Sequence, residues 1–103
     1  YSAANAFTMY MKTIPGVILV GDRTGGGSGL PFSSELPGGW SIRLSASPTL
    51  DVNGEHTEFG IAPDVRSHLG ANDRLNGKDS MIETAVHELR ARHDSLSKAA
   101  ALR

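Results

Sequence analysis

Residues 17–32, VILVGDRTGGGSGLPF, run a short apolar segment straight into a glycine-rich loop. Val17 to Val20 is too short for a helix and is bounded by Gly16 and Gly21, a pattern that predicts a strand buried on both faces. Such a loop after a strand often holds phosphate, by one of two patterns. The Walker pattern G-x-x-x-x-G-K-[ST] needs a lysine to reach the terminal phosphates and a hydroxyl for magnesium. Gly21 to Gly26 has that spacing, but Gly27 stands at the lysine position. The dinucleotide fingerprint also fails: Leu30 occupies its third glycine position, and Pro31-Phe32 follows in place of a helix. Glycines that merely permit positive φ in a turn are the competing local reading.

On the N-terminal side, Ala3, Ala6, Phe7, Tyr10, Met11 and Ile14 fall at helical spacing from Ser2, and Pro15-Gly16 supplies the stop. Downstream, Leu30 to Leu36 extends, Pro37-Gly38-Gly39 turns the chain, and Trp40, Ile42, Leu44 and Ala46 alternate onto one face. This predicts a hairpin whose Trp40, Ile42 and Leu44 belong to the core. Asn53-Gly54 marks a second turn between two extended segments, PTLDV and EHTEFGI. Ser67 to Gly77 is polar and predicts a loop. From Asp79 a helix follows, with a Ser80/Glu83 capping box, an apolar stripe of Ile82, Ala85, Val86, Leu89 and Leu96, and a Glu88–Arg92 pair. There is no internal repeat. Helices alternating with strands place the chain in the α/β class.

The 103 residues suit one modest domain, and 39% hydrophobic content fits a globular one. A net charge of −1 with interspersed signs offers no footprint for nucleic acid or an anionic membrane surface. With no cysteine, disulfides, thiolate metal sites and cysteine nucleophiles fall away, while the redox compartment stays open. No stretch approaches a membrane span, and YSAANAFTMY lacks the pattern of a secretory signal. The chain opens at an element boundary without a methionine and so reads as a piece of a longer protein. His87 and His93 do not share a helical face, and His56 and His68 sit in turn-like segments, so no metal or other cofactor is expected.

Five motifs in order change the reading of the glycine loop. They are Ser2-Ala3-Ala4 opening a helix, the apolar Val17 to Val20, the loop Gly21-Asp22-Arg23-Thr24-Gly25-Gly26, the turn Leu36-Pro37-Gly38-Gly39, and the segment Gly60-Ile61-Ala62-Pro63-Asp64. The arrangement resembles the carboxyl-terminal part of the peptidase domain in the C-terminal processing (tail-specific) and tricorn peptidase family. The resemblance covers most of the chain. It implies an α/β, crotonase-like (ClpP-type) fold, a twisted sheet with packed helices. Only the carboxyl-terminal portion would be present, as a single unit over residues 1–103. It also implies a serine endopeptidase acting on polypeptide through an acyl-enzyme, and a periplasmic, secreted or envelope-associated location.

Carried over residue by residue, Ser2 is the nucleophile and the amide of Ala3 an oxyanion donor, worth about 3 kcal/mol of barrier when well aimed. A helix N-terminus favours the negative charge that develops there. The competing role for Ser2 is an ordinary N-cap. Members with a serine-lysine dyad place the lysine where this chain has Gly27; its lysines are Lys12, Lys78 and Lys98. The resemblance therefore points to the tricorn-like branch, with a histidine base supplied from upstream and the isolated segment inactive. Glu58 is the candidate orienting acid, with Thr57 or Glu55 as alternatives of register. A rival has His56 and Glu58, two apart on a strand, supply base and acid together. Gly25, Gly26 and Gly27 are then the substrate-binding loop, bare where a peptide or the missing catalytic partner approaches. Asp64 and Arg23 are assigned structural roles, Arg23 paired with Asp22 or Glu35. The alternative function, favoured by the missing lysine, is a catalytically silent binding domain on the same scaffold, as in retinoid-binding relatives. An unrelated α/β structural module is the third reading.

Overall fold

The computed structural model describes residues 1–102. In chain order it contains α1 (Ala3–Lys12), β1 (Val20–Gly21), β2 (Pro31–Leu36), β3 (Trp40–Ser45), β4 (Val65–Arg66) and α2 (Ser80–Ala101). The chain is mixed α/β and divides into two compact units. The first comprises Tyr1–Leu19 and Arg23–Ala62; the second comprises Val20–Asp22 and the chain from Pro63 onward. Among the described residues no helix is long and apolar enough to cross a membrane.

In the first unit, α1 forms where the sequence predicts, but it buries a different face. Asn5 and Met9, one turn apart, are its buried positions, while Phe7 and Tyr10 are each 64% exposed. A polar anchor at Asn5, which is fully buried and hydrogen-bonded to the Thr57 carbonyl, turns that face inward. The helix ends at Thr13, whose amide bonds back to the carbonyl of Tyr10, and Gly16 then takes a positive φ of 86°. Lys12 Nζ donates to the carbonyl of Ala62 at 2.8 Å.

The hairpin forms as expected. β2 and β3 are antiparallel, Phe32 facing Leu44 and Leu36 facing Trp40, and Gly38 and Gly39 turn the chain at positive φ. Its apolar face is not core: Trp40 is 73% exposed, and Ile42 and Leu44 are also exposed. The alternation is correct, but among the described residues no second element packs on that face. The Asn53-Gly54 turn also forms, closed by Asp51, whose Oδ1 accepts from the amides of Asn53 and Glu55 at 2.8 and 2.9 Å. Instead of two flanking strands there is a single bridge, Leu50 with His56. The Asp51 side chain closes the turn locally, so the backbone has less need of a ladder.

In the second unit β1 pairs in parallel with β4, Val20 with Val65 and Gly21 with Arg66. The strand expected over Val17 to Val20 is thus confined to its last residue plus Gly21, and these valines are half-buried rather than enclosed. One short partner strand cannot bury both faces. β4 lies at residues 65–66, where the sequence analysis predicts no element. α2 starts one residue earlier in its capping than expected: Asp79 Oδ1 accepts from the amides of Met81 and Ile82, both at 3.0 Å. The Ser80 hydroxyl instead bonds to Asp73 Oδ2. Glu88 lies 3.8 Å from His87 Nδ1 and forms no pair with Arg92, and α2 has no buried residue. His68 Nδ1 meets Asp22 Oδ2 at 2.8 Å.

Asp73 anchors the loop ahead of α2, accepting from the Ser80 hydroxyl, from the Gly70 amide at 2.7 Å and from the Ser80 amide at 3.3 Å. The Ser80 hydroxyl bond, with Gly70 second, holds its carboxyl below the ordinary value of 3.8. A group depressed in the fold contributes fully above the unfolded value and loses its contribution as pH falls through the folded value. Amide exchange of residues 70–82 should therefore accelerate as pH drops below about 4 after correction for intrinsic rates. An Asp73→Asn variant should show the faster exchange already at neutral pH.

Candidate functional site

Ser2 precedes α1 with φ 55° and ψ −121°, and it is the one non-glycine residue with positive φ among those described. That region is costly for a residue with a Cβ, about 1–3 kcal/mol, and it persists only where surroundings impose it. Here the Ser2 amide donates to the carbonyl of Gly26 at 2.8 Å, and its carbonyl accepts from Ala6. An N-capping serine bonds its hydroxyl to an amide of the first turn. Ser2 makes no such bond, and the residue is exposed. Its hydroxyl is thus uncommitted at the positive end of a helix. The amide of Ala3, next in the chain, meets no acceptor among the described residues.

The glycine loop is held by close backbone approach. A Cβ on Gly26, which has φ 73°, would stand 1.9 Å from the Glu58 carbonyl oxygen. One on Gly60 would stand 1.9 Å from the carbonyl of Thr24. The Gly27 amide donates to that same Glu58 carbonyl at 3.0 Å. A Cβ on Gly27 would collide with the Tyr1 ring at 2.4 Å, whereas Gly25 would tolerate one at 3.4 Å from that ring. Two of the three glycines expected to stand bare for a substrate are therefore bare first of all for the chain's own residues: Gly26 for the Glu58 segment and Gly27 for Tyr1.

Asn5 ties these parts together. It has 0% of its surface exposed. Its Nδ2 donates to the Ser28 hydroxyl and to the Thr57 carbonyl, the latter at 3.0 Å, and its Oδ1 accepts from the Thr24 hydroxyl. Thr24 in turn accepts from the amide of Ile61 at 2.7 Å. One carboxamide thus links the helix, both ends of the glycine loop and the segment carrying Glu58. Sequence reasoning passed over Asn5. The available signal was a lone amide in a helix of small and apolar residues, at the i+3 position that shares a face with Ser2.

Of the alternatives for the acid, Thr57 is buried, its hydroxyl bonded to the Thr49 carbonyl at 3.1 Å. Glu58 is exposed, and its Oε2 accepts from the Gly29 amide at 3.3 Å, beside the glycine loop. Glu55 and His56 line another cavity of about 340 Å³, together with Lys12, Arg23 and Asp51. His56 and Glu58 are not brought into contact, so the rival pair is not assembled. Arg23 donates to the Gly60 carbonyl at 2.9 Å and helps fix the loop. Ser2 lies instead on a cavity of about 370 Å³ walled by Tyr1, Gly27, Gly29, Pro31, Arg43 and Ser45, with Leu44. Among the described residues no histidine or lysine lines it. No group of three histidine or acidic side chains suited to a metal ion occurs among the described residues.

The family model for peptidase family S41 matches residues 1–67. A crystal structure from Parabacteroides merdae ATCC 43184, described as a candidate peptidase, superposes with a TM-score of 0.83 at 57% sequence identity. The match covers 92% of this chain and 30% of that one, so the present chain spans under a third of its relative. A comparison with curated proteins yields no match.

Asn5→Ala should lower the unfolding free energy of the full-length protein by about 1–3 kcal/mol, the usual cost of stranding buried hydrogen-bonding groups. Gly26→Ala should cost more, because the obstacle is backbone and φ is positive as well. Urea midpoints, with Gly16→Ala as the control for positive φ in open space, check both.

Proposed function

This chain belongs to peptidase family S41, and from that premise we propose that residues 1–103 form the carboxyl-terminal portion of a crotonase-like serine endopeptidase domain of the tricorn-like branch. The observation that carries the reading is the backbone of Ser2. A strained positive φ at the mouth of a helix, with a hydroxyl that caps nothing, is what a nucleophile needs and what an ordinary N-cap lacks.

In this reading Ser2 Oγ attacks the scissile carbonyl of a polypeptide. Its proton passes to a histidine base supplied from outside these residues, which returns it to the leaving amine, and water then releases the acyl group from Oγ. The Ala3 amide and the dipole of α1 take the charge of the tetrahedral oxyanion. Glu58 is the proposed orienting acid; its carbonyl and carboxylate already bracket the glycine loop at Gly27 and Gly29. Gly25, Gly26 and Gly27 form the wall along which the substrate backbone lies. The specific fit of Gly26 to Glu58 makes that wall rigid rather than pliant.

A second reading is a silent peptide- or small-ligand-binding domain on the same scaffold. Gly27 at the dyad-lysine position and a Ser2 cavity lined by no described histidine or lysine favour it. A fluorophosphonate probe on the full-length protein separates the two. Peptidase function requires labelling at Ser2 and a loss of at least about three orders of magnitude in kcat/KM in Ser2→Ala. A folded protein that takes up no probe and cleaves no unstructured polypeptide is a binding domain.

A further inference from the structure

We propose that Arg43 makes the cavity beside Ser2 a carboxylate-binding subsite, so that the peptide presented to Ser2 carries an anionic group there. This deepens the peptidase reading and rests on it for the role of Ser2.

The placement follows from strand register. Pro31 faces Ser45 and Ser33 faces Arg43, so Pro31, Arg43 and Ser45 share one face of the hairpin, the face opposite Phe32, Ile42 and Leu44. These three line the cavity together with Ser2 and Gly27. Arg43 is the one charged residue in that lining; no acidic residue lines it. The guanidinium also has no ion pair among the described residues. Its cross-strand partner is a serine, and Glu35, the acid on the same face of β2, does not engage it. Glu58, the acid nearest the glycine loop, is bonded to the Gly29 amide.

Two other arginines have partners. Arg23 is spent on the Gly60 carbonyl, and Arg66 stands 3.9 Å from Asp22. Arg43 is thus a permanently charged, planar fork of donors in a cavity whose other walls are glycine, proline, serine, leucine and an aromatic ring. A carboxylate is the group that fork matches, in a bidentate way no lysine reproduces. The carboxylate can be an aspartate or glutamate side chain or the free C-terminus of the substrate, and the test distinguishes them.

The full-length protein with Ser2→Ala, which binds without turnover, is titrated into fluorescein-labelled peptides differing only by Asp, Asn or Lys at one position, each with a free or amidated C-terminus. Anisotropy is read at low salt. Carboxylate-bearing peptides should bind about tenfold or more tightly than the Asn amide, the usual gain of a hydrogen bond to a charged partner. Tight binding of the Asp amide identifies a side-chain site; tight binding of the Asn free acid identifies a terminal one. Adding Arg43→Ala should erase the preference, Arg43→Lys should keep a reduced one, and Arg43→Glu should turn it toward the Lys peptide. Equal binding across the series, or a carboxylate preference undiminished by Arg43→Ala, overturns the subsite. Fluorophosphonate labelling of the protein with Ser2 intact reads the peptidase assignment separately. Labelling without a carboxylate preference sinks the subsite alone, and a preference without labelling sinks the peptidase alone.

Discussion

Asn5 is a carboxamide without solvent-accessible surface, and its hydrogen bonds reach Thr24, Ser28 and Thr57, residues far from it along the chain. Both of its protons and its oxygen are engaged, so the desolvation of this group is matched within the fold. Few apolar side chains in the first unit are buried; Met9 and Ile61 are the core hydrophobics. A polar network then does what apolar packing does elsewhere: it fixes one arrangement of helix, loop and following segment. The position of Ser2 follows, since it lies on the same helical face and its amide is clasped by Gly26.

The glycine loop shows how one composition serves different chemistry. Glycines that cradle phosphate leave amides aimed outward into a nest. Here the Gly27 amide is satisfied by the Glu58 carbonyl, and the space a side chain at Gly26 would fill is taken by that same carbonyl. The loop is packed against the chain itself, and the opening it leaves lies toward Ser2 and the polar face of the hairpin. Backbone complementarity of this kind gives a rigid wall.

Local features of the fold were legible in the sequence to the degree that they are set by neighbouring residues. The hairpin through Gly38 and Gly39 and the Asn53 turn depend on φ preferences that individual residues carry, whereas α1 ends at Lys12, short of the Pro15-Gly16 stop the sequence offers. The Ser2 motif and the loop that meets it were legible through the order of five short motifs. What escaped was decided at long range. Helical spacing marked Ala3, Ala6, Phe7, Tyr10, Met11 and Ile14, but the positions α1 buries are Asn5 and Met9. Alternation in Trp40, Ile42 and Leu44 correctly marked one face but could not say whether a second layer covers it. The short parallel pairing of Val20 with Val65 joins segments with no pattern in common, and Arg43 gave no signal in a strand read for its apolar positions.

The torsion angles of Ser2 set two demands against each other. A residue lacking a Cβ would relax the main chain there, and a domain judged by thermal endurance alone would drift toward glycine at that position. A hydroxyl-bearing side chain in so unfavourable a conformation lowers durability at one atom's address. Among the described residues every other positive-φ bend, from Gly16 to Gly77, falls on glycine.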